Sequence, residues 1–342
     1  MLIVMKPDAV ESDIEKVVAA VEELNLNAQV LIEKTRATIV VLGNLDGIEK
    51  ARFVHLPKVA EIIKLTKTYR LSSRDYKPEN TIVKIGDAAI GGDELTIIAG
   101  VCSVENHEQL FTVAETVKNS GAKLFRGGAF KPRTSPYAFQ GLGERGLQML
   151  AEVRAEFDLK IVTEAMDEHG VDLVEKYGDV IQIGARNMQN FSLLKRVGKS
   201  HLPVLLKRGF AATLDDLLSS AEYILSEGNE NVILCERGIR TFANHARNTL
   251  DLSIVPALQK ISHLPIIVDP SHGTGKTFMV APMAKAAVAV GANGVIVEIH
   301  PNPERALSDG SQALTPAQYL EMVAQLDTVF KAVQSPKSQV QG

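Results

Sequence analysis

The stretch "TIIAGVCSVENHEQLFTVAETVKNSGAKLFRGG", residues 96–128, decides the fold class of this chain. Its first run, "TIIAGV", is rich in β-branched residues and is typical of a buried strand. The segment "HEQLFTVAETVKNSG" has the apolar spacing of a helix and ends at a glycine, as many helices do. The run "KLFRG" then predicts a second strand. The stretch is therefore one strand, helix, strand unit of an α/β protein.

The same unit recurs along most of the chain. The predicted strands are "TIIAGV", "KLFRG", "KIVTEA", "DVIQIG", "PVLLK", "NVILCE", "PIIVD" and "GVIVEI". Amphipathic segments of helical length separate them, and "TLDDLLSSAEYILSEG" opens with a threonine that suits a helix N-cap. This alternation predicts a (β/α)8 TIM barrel, with a doubly wound open sheet as the weaker alternative.

The first part of the chain follows a different pattern. Its runs give the order β-α-β-β-α-β of a ferredoxin-like domain. They are "LIVMK", "ESDIEKVVAAVEELN", "AQVLIE", "ATIVVLG", "DGIEKARFV" and "AEIIKLTK". We expect this domain at residues 1–72 and the catalytic barrel at residues 96–335. Between them, at residues 73–95, we expect a polar linker and a hairpin that plugs the lower end of the barrel.

Composition excludes several classes of protein. The net charge of -4 gives no support for a nucleic-acid partner. No apolar run approaches the roughly 20 residues that cross a membrane, and the N-terminus lacks the pattern of a signal peptide. We therefore expect a cytoplasmic protein. The run "GTGKT" resembles a nucleotide-binding phosphate loop, but Pro270 stands where that motif requires glycine.

Residues able to bind a metal stand at the ends of the predicted strands. The carboxyl ends of barrel strands meet at one face, so these side chains are expected to converge there. They are Cys102, His272, Glu298 and Asp309. One thiol, one imidazole and two carboxylates suit one divalent transition metal better than calcium or a structural zinc ion. The set does not rank manganese, iron, cobalt, zinc or copper, and each residue alone is also compatible with an ordinary structural role.

A group of cations stands at the same strand ends. Its members are Arg126, Lys131, Arg133, Arg186, Lys207 and Arg237. Gathering like charges in one cleft is unfavourable unless anions bind there, and arginine pairs bidentately with phosphate and carboxylate. We predict a ligand, or a pair of ligands, that carries two phosphates, or two phosphates and a carboxylate. In the loop "RGGAFKPRTSP", glycines allow close approach of the backbone to the ligand, and Pro132 and Pro136 stiffen the chain.

Seven blocks of sequence, in order, resemble one enzyme family. They are "GVCSVE", "RGGAFKPRTSPYAFQGLG", "IQIGARNMQN", "PVLLKRGF", "ILCERGIRTF", "VDPSHGTG" and "VEIHPNPERALSDG". Together they are similar to 3-deoxy-D-arabino-heptulosonate 7-phosphate (DAHP) synthase of type I beta, with a ferredoxin-like N-terminal extension. The resemblance covers nearly all of the chain from about residue 80. It implies condensation of phosphoenolpyruvate with D-erythrose 4-phosphate and water, which releases phosphate and begins the shikimate pathway.

The resemblance also implies a role for each candidate residue. It makes Cys102, His272, Glu298 and Asp309 the metal ligands. It assigns phosphoenolpyruvate to Arg126, Lys131, Arg186, Lys207 and Arg237, and the aldose phosphate to Arg133, Thr134 and Ser135. A Lewis-acidic metal then activates the aldehyde, and Lys131 donates a proton to the new alkoxide. The candidates for the remaining proton transfers are Asp269, Glu164 and a metal-bound water.

Other functions remain open at this stage. The 3-deoxy-octulosonate 8-phosphate synthases share fold, metal and phosphoenolpyruvate but use arabinose 5-phosphate, and their loop has a "KANRSS"-like motif where this chain has "KPRTSP". A phosphate-binding barrel without catalysis has no use for the metal quartet. The resemblance further implies a homotetramer and an N-terminal domain that senses an aromatic amino acid. In "NAQVLIEK", Gln29 can hydrogen-bond such an effector whereas Leu31 cannot, and a domain that serves only assembly is the alternative.

Overall fold

The computed structural model describes residues 1–32, 36–43, 48–63, 68–132 and 135–334. The chain divides into two compact units, Met1–Arg70 and Leu71–Gly342. Within the described ranges, no helix combines the length and the apolar character needed to cross a membrane.

The N-terminal unit has the ferredoxin-like order predicted from the sequence. Its elements are β1 Leu2–Met5, α1 Glu11–Glu22, β2 Asn27–Ile32, β3 Ala37–Leu42, α2 Ala51–Val54 and β4 Val59–Ile63. Among the described residues the strands form one four-stranded sheet in the order β2-β3-β1-β4, with antiparallel pairing throughout. The central strand β1 is buried along its whole length, whereas every residue of the edge strand β2 is exposed or half-buried. Helix α1 covers the sheet with Val17 and Val21, which pack beside Ile3 and Ile39 in the core.

The second unit begins with a hairpin and closes into a barrel. The hairpin consists of β5 Val83–Ile85 and β6 Ala88–Ile90. The barrel strands are β7 Thr96–Val101, β8 Leu124–Gly127, β9 Lys160–Glu164, β10 Val180–Ile183, β11 Val204–Lys207, β12 Val232–Glu236, β13 Ile266–Val268 and β14 Gly294–Glu298. Their parallel pairing is closed by the β14 to β7 contact, in which Glu298 lies opposite Gly100. This closure confirms the (β/α)8 barrel and excludes the open, doubly wound sheet.

Helices follow the strands and cover the barrel. They are α3 His107–Asn119, α4 Glu144–Phe157, α5 Glu168–Tyr177, α6 Phe191–Gly198, α7 Leu214–Ser226, α8 Ile254–Ile261, α9 Pro270–Thr274, α10 Thr277–Ala289 and α11 Pro316–Gln334. Local sequence sets their starts. Asn106 caps α3 by accepting a hydrogen bond from the Gln109 backbone, and Thr213 with Asp216 forms a capping box at α7, as its threonine predicts.

The hairpin fills one end of the barrel. Val83, Ile85 and Ile90 belong to the same buried cluster as Ile98 and Leu124, which lie in the first halves of their strands. Apolar side chains therefore occupy the amino ends of the strands. The carboxyl ends are left to carry polar and charged side chains.

A buried histidine of the barrel forms hydrogen bonds to the first residues of this unit. His263 is 4% exposed. Its Nε2 lies 2.6 Å from the Leu71 carbonyl oxygen, to which it must donate, so in the neutral ring Nδ1 accepts from the Thr81 hydroxyl at 2.7 Å. Burial lowers the pKa of His263 to about 4, and nearby Lys77 and Arg74 act in the same direction.

The lowered pKa of His263 predicts that the protein becomes less stable to unfolding in acid. Because its folded-state pKa lies below the ordinary value, its stabilising contribution is complete above about pH 6.5 and is lost as pH falls towards 4. We expect the free energy of unfolding to fall by roughly 2–3 kcal/mol over this range from His263 alone. His263→Gln keeps a donor for the Leu71 carbonyl but does not titrate, and should lose less stability in acid. Denaturant titrations from pH 4 to 7.5 test this, and equal pH dependence of the two proteins contradicts it.

Candidate active site

A cavity opens at the carboxyl ends of the barrel strands. Charged and polar side chains from seven strand ends and their loops form most of its wall. The lining consists of Arg126, Lys131, Pro132, Glu164, Gln182, Gly184, Ala185, Arg186, Lys207, Phe210, Arg237, Arg247, His272 and Asp309. Fold topology, not sequence proximity, brings these residues together.

Four side chains with metal-binding atoms cluster beside this cavity. One ligand atom from each of Cys102, His272, Glu298 and Asp309 lies within 4.8 Å of the others. Ligands bound at about 2.0–2.3 Å from one ion can be no more than roughly 4.6 Å apart. The cluster is therefore close to the size that a single ion requires, and its mixed sulfur, nitrogen and oxygen donors suit a transition metal.

Asp269 orients the histidine of the cluster. Its Oδ1 accepts the His272 backbone N–H at 2.9 Å and caps α9, while Oδ2 accepts from Nδ1 of the same histidine at 2.8 Å. Lys207 Nζ also donates to Oδ2, at 2.5 Å. Burial by itself raises the pKa of Asp269, but His272 and Lys207 hold it well below its usual range. With Nδ1 engaged, Nε2 of His272 is directed to the cluster, 3.2 Å from Glu298 Oε1.

Glu298 is an ionised carboxylate in a fully buried position. Arg126 Nη1 donates to its Oε1 at 2.7 Å, and Gln312 Nε2 donates to Oε2 at 2.6 Å. Burial favours the neutral acid, but His272, Arg126 and Lys131 lower the pKa of Glu298 to about 2. The carboxylate is thus charged and fixed in orientation before any ligand arrives.

The sulfur of Cys102 is surrounded by hydrogen-bond donors. Lys131 Nζ lies 3.1 Å from it and the Ser308 hydroxyl 3.2 Å from it. Burial raises the pKa of the Cys102 thiol to about 11, with Glu298 adding to the effect and Lys131 opposing it. A thiolate at this position therefore needs a further positive charge, which a divalent ion at the cluster would supply.

The cavity wall carries more positive charge than its carboxylates balance. Arg126 is paired with Glu298 and Lys207 with Asp269. Arg237 is 4% exposed, and among the described residues its Nη1 has no hydrogen-bond partner; Arg126 Nε is in the same condition. Burial lowers the pKa of Arg237, and Arg247 and Arg186 add to this through repulsion. Unpartnered buried donors beside other cations indicate a site for an anion.

The loop after β8 is described only in part. Arg133 and Thr134 lie outside the described residues, and Ser135 is exposed and is not part of the cavity lining. Lys131 is buried and donates to the Cys102 carbonyl oxygen at 3.0 Å. A Cβ at Gly128 would lie 2.6 Å from the same oxygen, so this position accepts only glycine without movement of the chain.

The sequence patterns did not predict several residues of the site. Arg247 lies well after β12, and its Nη1 donates to Gln312 Oε1 at 3.0 Å and to Asp309 Oδ1 at 3.3 Å. Gln182 lies inside β10 and donates to Glu164 Oε2 at 3.3 Å.

Strand-end position alone does not identify a site residue. Arg208 and Glu236 also stand at strand ends, but they pair with each other at 2.9 Å. Arg208 also contacts Asp251 at 2.9 Å. Neither Arg208 nor Glu236 belongs to the cavity lining.

These features define a class of protein: a (β/α)8 barrel enzyme with a candidate metal centre beside an anion-binding cavity. The chain belongs to the DAHP synthetase I family, which matches residues 72–335. Residues 1–67 match the DAHP synthase ferredoxin-like domain. Enzymes of this family depend on a metal ion, and the cluster is a possible site for it. The resemblance recognised in the sequence motifs is thereby confirmed.

Similar proteins include enzymes of known structure. The chain is 48% identical to the phospho-2-dehydro-3-deoxyheptonate aldolase of Thermotoga maritima over 97% of this chain and 98% of the relative. A crystal structure of the DAHP synthase of that organism has a TM-score of 0.78 and covers 97% of both chains. A truncated form has a TM-score of 0.73 and covers 78% of this chain and 98% of its own.

The alternative considered from the sequence, 3-deoxy-octulosonate 8-phosphate synthase, is a more distant relative. The 2-dehydro-3-deoxyphosphooctonate aldolase of Syntrophobacter fumaroxidans is 31% identical over 71% of this chain and 90% of the relative. The higher identity, the longer coverage and the ferredoxin-like domain all favour DAHP synthase.

The pair formed by Arg247 and Gln312 gives a prediction for metal binding. Gln312 is 1% exposed. Arg247 donates to its side-chain oxygen, so its nitrogen is turned to Glu298 and donates to Oε2, which holds the orientation of this carboxylate. We expect Gln312→Leu to weaken metal affinity by roughly tenfold to a hundredfold, the effect typical of lost outer contacts. Chelator competition measures this, with Gln325→Leu on α11 as the control. Equal affinity of both variants contradicts the role.

Proposed function

We propose that Cys102, His272, Glu298 and Asp309 hold one divalent transition metal and that the cations beside them bind phosphoenolpyruvate. The observation that carries the proposal is the juxtaposition of the ligand cluster with the unpartnered donor of Arg237. The donor set does not rank manganese, iron, cobalt, zinc or copper, because late transition metals bind almost any such site more tightly than manganese does.

The enzyme condenses phosphoenolpyruvate with D-erythrose 4-phosphate and water to give DAHP and phosphate, the first step of the shikimate pathway. Phosphoenolpyruvate carries a phosphate and a carboxylate, which match the cations of the cavity wall. We assign to it Arg126, Lys131, Arg186, Lys207 and Arg237. We assign the phosphate of the aldose to the loop residues Arg133, Thr134 and Ser135, which stay a prediction.

Lys131 is the proposed acid of the carbon–carbon bond-forming step. Burial favours its neutral form, but Cys102, Glu298 and Glu164 raise its pKa above the ordinary value, so it carries a proton. When C3 of phosphoenolpyruvate attacks the aldehyde carbon, the aldehyde oxygen takes up negative charge, and Lys131 donates a proton to it. A divalent ion, when bound, supplies Lewis acidity for the same oxygen.

Glu164 is the proposed base for the second half of the reaction. It lines the cavity and is held by Gln182. Attack through C3 leaves C2 with oxocarbenium character; water adds to C2 and loses one proton to Glu164. The bond between C2 and the phosphate oxygen then breaks while the new C2 hydroxyl gives its proton to the departing phosphate, which leaves the C2 ketone. Asp269 is the other carboxylate that the sequence indicates for proton transfer. Its ion pair with Lys207 and its hydrogen bond to His272 favour a positioning role for this carboxylate.

An assay with two aldoses tests the chemistry directly. Phosphoenolpyruvate is mixed with erythrose 4-phosphate or with arabinose 5-phosphate, each with and without chelator, and the loss of enol absorbance is followed. We expect consumption with erythrose 4-phosphate alone, and its loss in chelator with recovery on adding metal. Preferential use of arabinose 5-phosphate, or full activity of metal-stripped enzyme, contradicts the proposal.

The thiol ligand gives a second test. Cys102→Ser replaces a soft thiolate by a weakly coordinating hydroxyl, so we expect metal affinity and turnover to fall by at least roughly a hundredfold. Cys235→Ala is the matched control, because Cys235 lies in the apolar core of the barrel rather than in the cluster. Normal metal content and turnover of Cys102→Ser would remove the thiol from the metal site.

The N-terminal unit is proposed to regulate the barrel. The ferredoxin-like domain of this family suggests regulation. We propose that the chain forms a homotetramer and that β2 contributes to a site for an aromatic amino acid. In support, β2 is an edge strand, and the buried Oε1 of Gln29 has no hydrogen-bond partner among the described residues. The cytoplasmic location expected from the sequence stays a prediction.

Deletion of residues 1–70 separates regulation from catalysis. A solved structure of a truncated DAHP synthase from Thermotoga maritima covers 78% of this chain, which supports a truncated form that folds. We expect inhibition by tyrosine, phenylalanine or a related product to disappear on deletion, while turnover and metal content persist. Steady-state assays of both proteins, with each amino acid in turn, measure this. A full-length enzyme indifferent to all of them leaves only an assembly role for the domain.

A further inference from the structure

The Phe210 ring contacts three arginine side chains at the wall of the active-site cavity. Its ring centroid lies 4.6 Å from the guanidinium carbon of Arg237, 4.8 Å from that of Arg240 and 5.4 Å from that of Arg186. These distances are within the range of cation–π attraction. The backbone joins the same loops, because the Arg240 N–H donates to the Phe210 carbonyl oxygen at 2.8 Å. The loop after β11 and the loop after β12 are thus fixed to each other around one aromatic ring.

Without bound substrate, the arginines at this ring need an attractive interaction that offsets their mutual repulsion and their burial. Arg237 and Arg186 both line the cavity, and the positive charge of Arg186 disfavours the charged form of Arg237. Arg237 is also buried, and its Nη1 has no hydrogen-bond partner within the described part of the chain. Without another attraction, repulsion and the lack of solvent favour a displaced Arg237 side chain.

An aromatic ring suits this task better than a carboxylate. The negative face of the ring attracts guanidinium groups, but it does not occupy their N–H donors with strong hydrogen bonds. A carboxylate at the same position would neutralise the arginines and would compete with the phosphate and carboxylate of a substrate. Phe210 therefore supports the cations while leaving their donors free for an anion.

We propose that Phe210 is a positioning residue that holds Arg237 and Arg186 in the orientation that binds phosphoenolpyruvate before the substrate arrives. Arg240, which does not line the cavity, adds a further contact to the ring and keeps the two loops together. The inference rests on the proposed function, because it names the residue that organises the substrate-binding cations. It adds to that function a residue that is neither a candidate metal ligand nor a group proposed to move protons.

Two substitutions distinguish the effect of the aromatic face of Phe210 from the effect of its apolar volume. Phe210→Leu keeps an apolar side chain but removes the aromatic face, whereas Phe210→Tyr keeps the face. Calorimetric titration of the metal-loaded enzyme with phosphoenolpyruvate alone gives the dissociation constant. We expect Phe210→Leu to weaken binding by roughly five- to thirtyfold, from the loss of two cation–π contacts, and Phe210→Tyr to restore it to within about twofold.

Steady-state kinetics distinguish positioning from a general structural defect. The KM for phosphoenolpyruvate should rise in Phe210→Leu far more than kcat falls, with metal content and thermal unfolding temperature close to those of the unmodified enzyme. The matched control is Phe191→Leu. Phe191 stacks on Tyr223 at 4.5 Å and is not part of the cavity lining, so its removal should not alter phosphoenolpyruvate binding.

The outcomes separate this inference from the proposed function. If the unmodified enzyme binds phosphoenolpyruvate and Phe210→Leu binds it equally well, the positioning role is overturned and the proposed function stands. If the unmodified enzyme does not bind phosphoenolpyruvate at all, both are overturned. Weak binding by Phe210→Leu that Phe210→Tyr does not restore also overturns the role, because the aromatic face is then not the cause.

Discussion

The site depends on the pairing of the last barrel strand with the first. Glu298 at the end of β14 lies opposite Gly100 on β7, and this register brings Glu298 beside Cys102 and Arg126. A Cβ at Gly100 would lie 2.0 Å from the Arg126 carbonyl oxygen, so glycine permits the close approach of β7 and β8 at this position. Closure of the barrel is therefore also the step that assembles the candidate metal centre from distant parts of the chain.

Four cations of the cavity differ in their partners: two are paired with carboxylates and two contact an aromatic ring. Arg126 and Lys207 are buried and are paired with Glu298 and Asp269. Buried ion pairs are weak evidence for stability, because desolvation offsets much of the attraction. Here each pair orients a carboxylate next to the ligand cluster. Arg237 and Arg186 instead contact an aromatic ring, which leaves positive charge available to an anionic substrate.

Sequence reasoning succeeded where a short local pattern has one physical meaning. Alternation of strands and helices predicts the barrel, and barrel topology places strand-end residues such as Cys102 and Glu298 at one face. It did not find Arg247, Gln312 or Phe210, because their roles depend on how long loops fold back over that face. The sequence prediction leaves Arg208 out of the site cations, which agrees with its pairing with Glu236 in the structure. The roles of Arg133 and Thr134 stay predictions, as these residues lie outside the described ranges.

X-ray absorption spectroscopy of the enzyme loaded with one equivalent of cobalt or zinc tests the central claim most directly. The account predicts a single ion with one sulfur ligand at about 2.3 Å, one imidazole nitrogen and oxygen ligands, and loss of the sulfur signal in Cys102→Ser. A coordination shell of nitrogen and oxygen alone in the unmodified enzyme would contradict the claim that barrel closure assembles Cys102, His272, Glu298 and Asp309 into one metal centre.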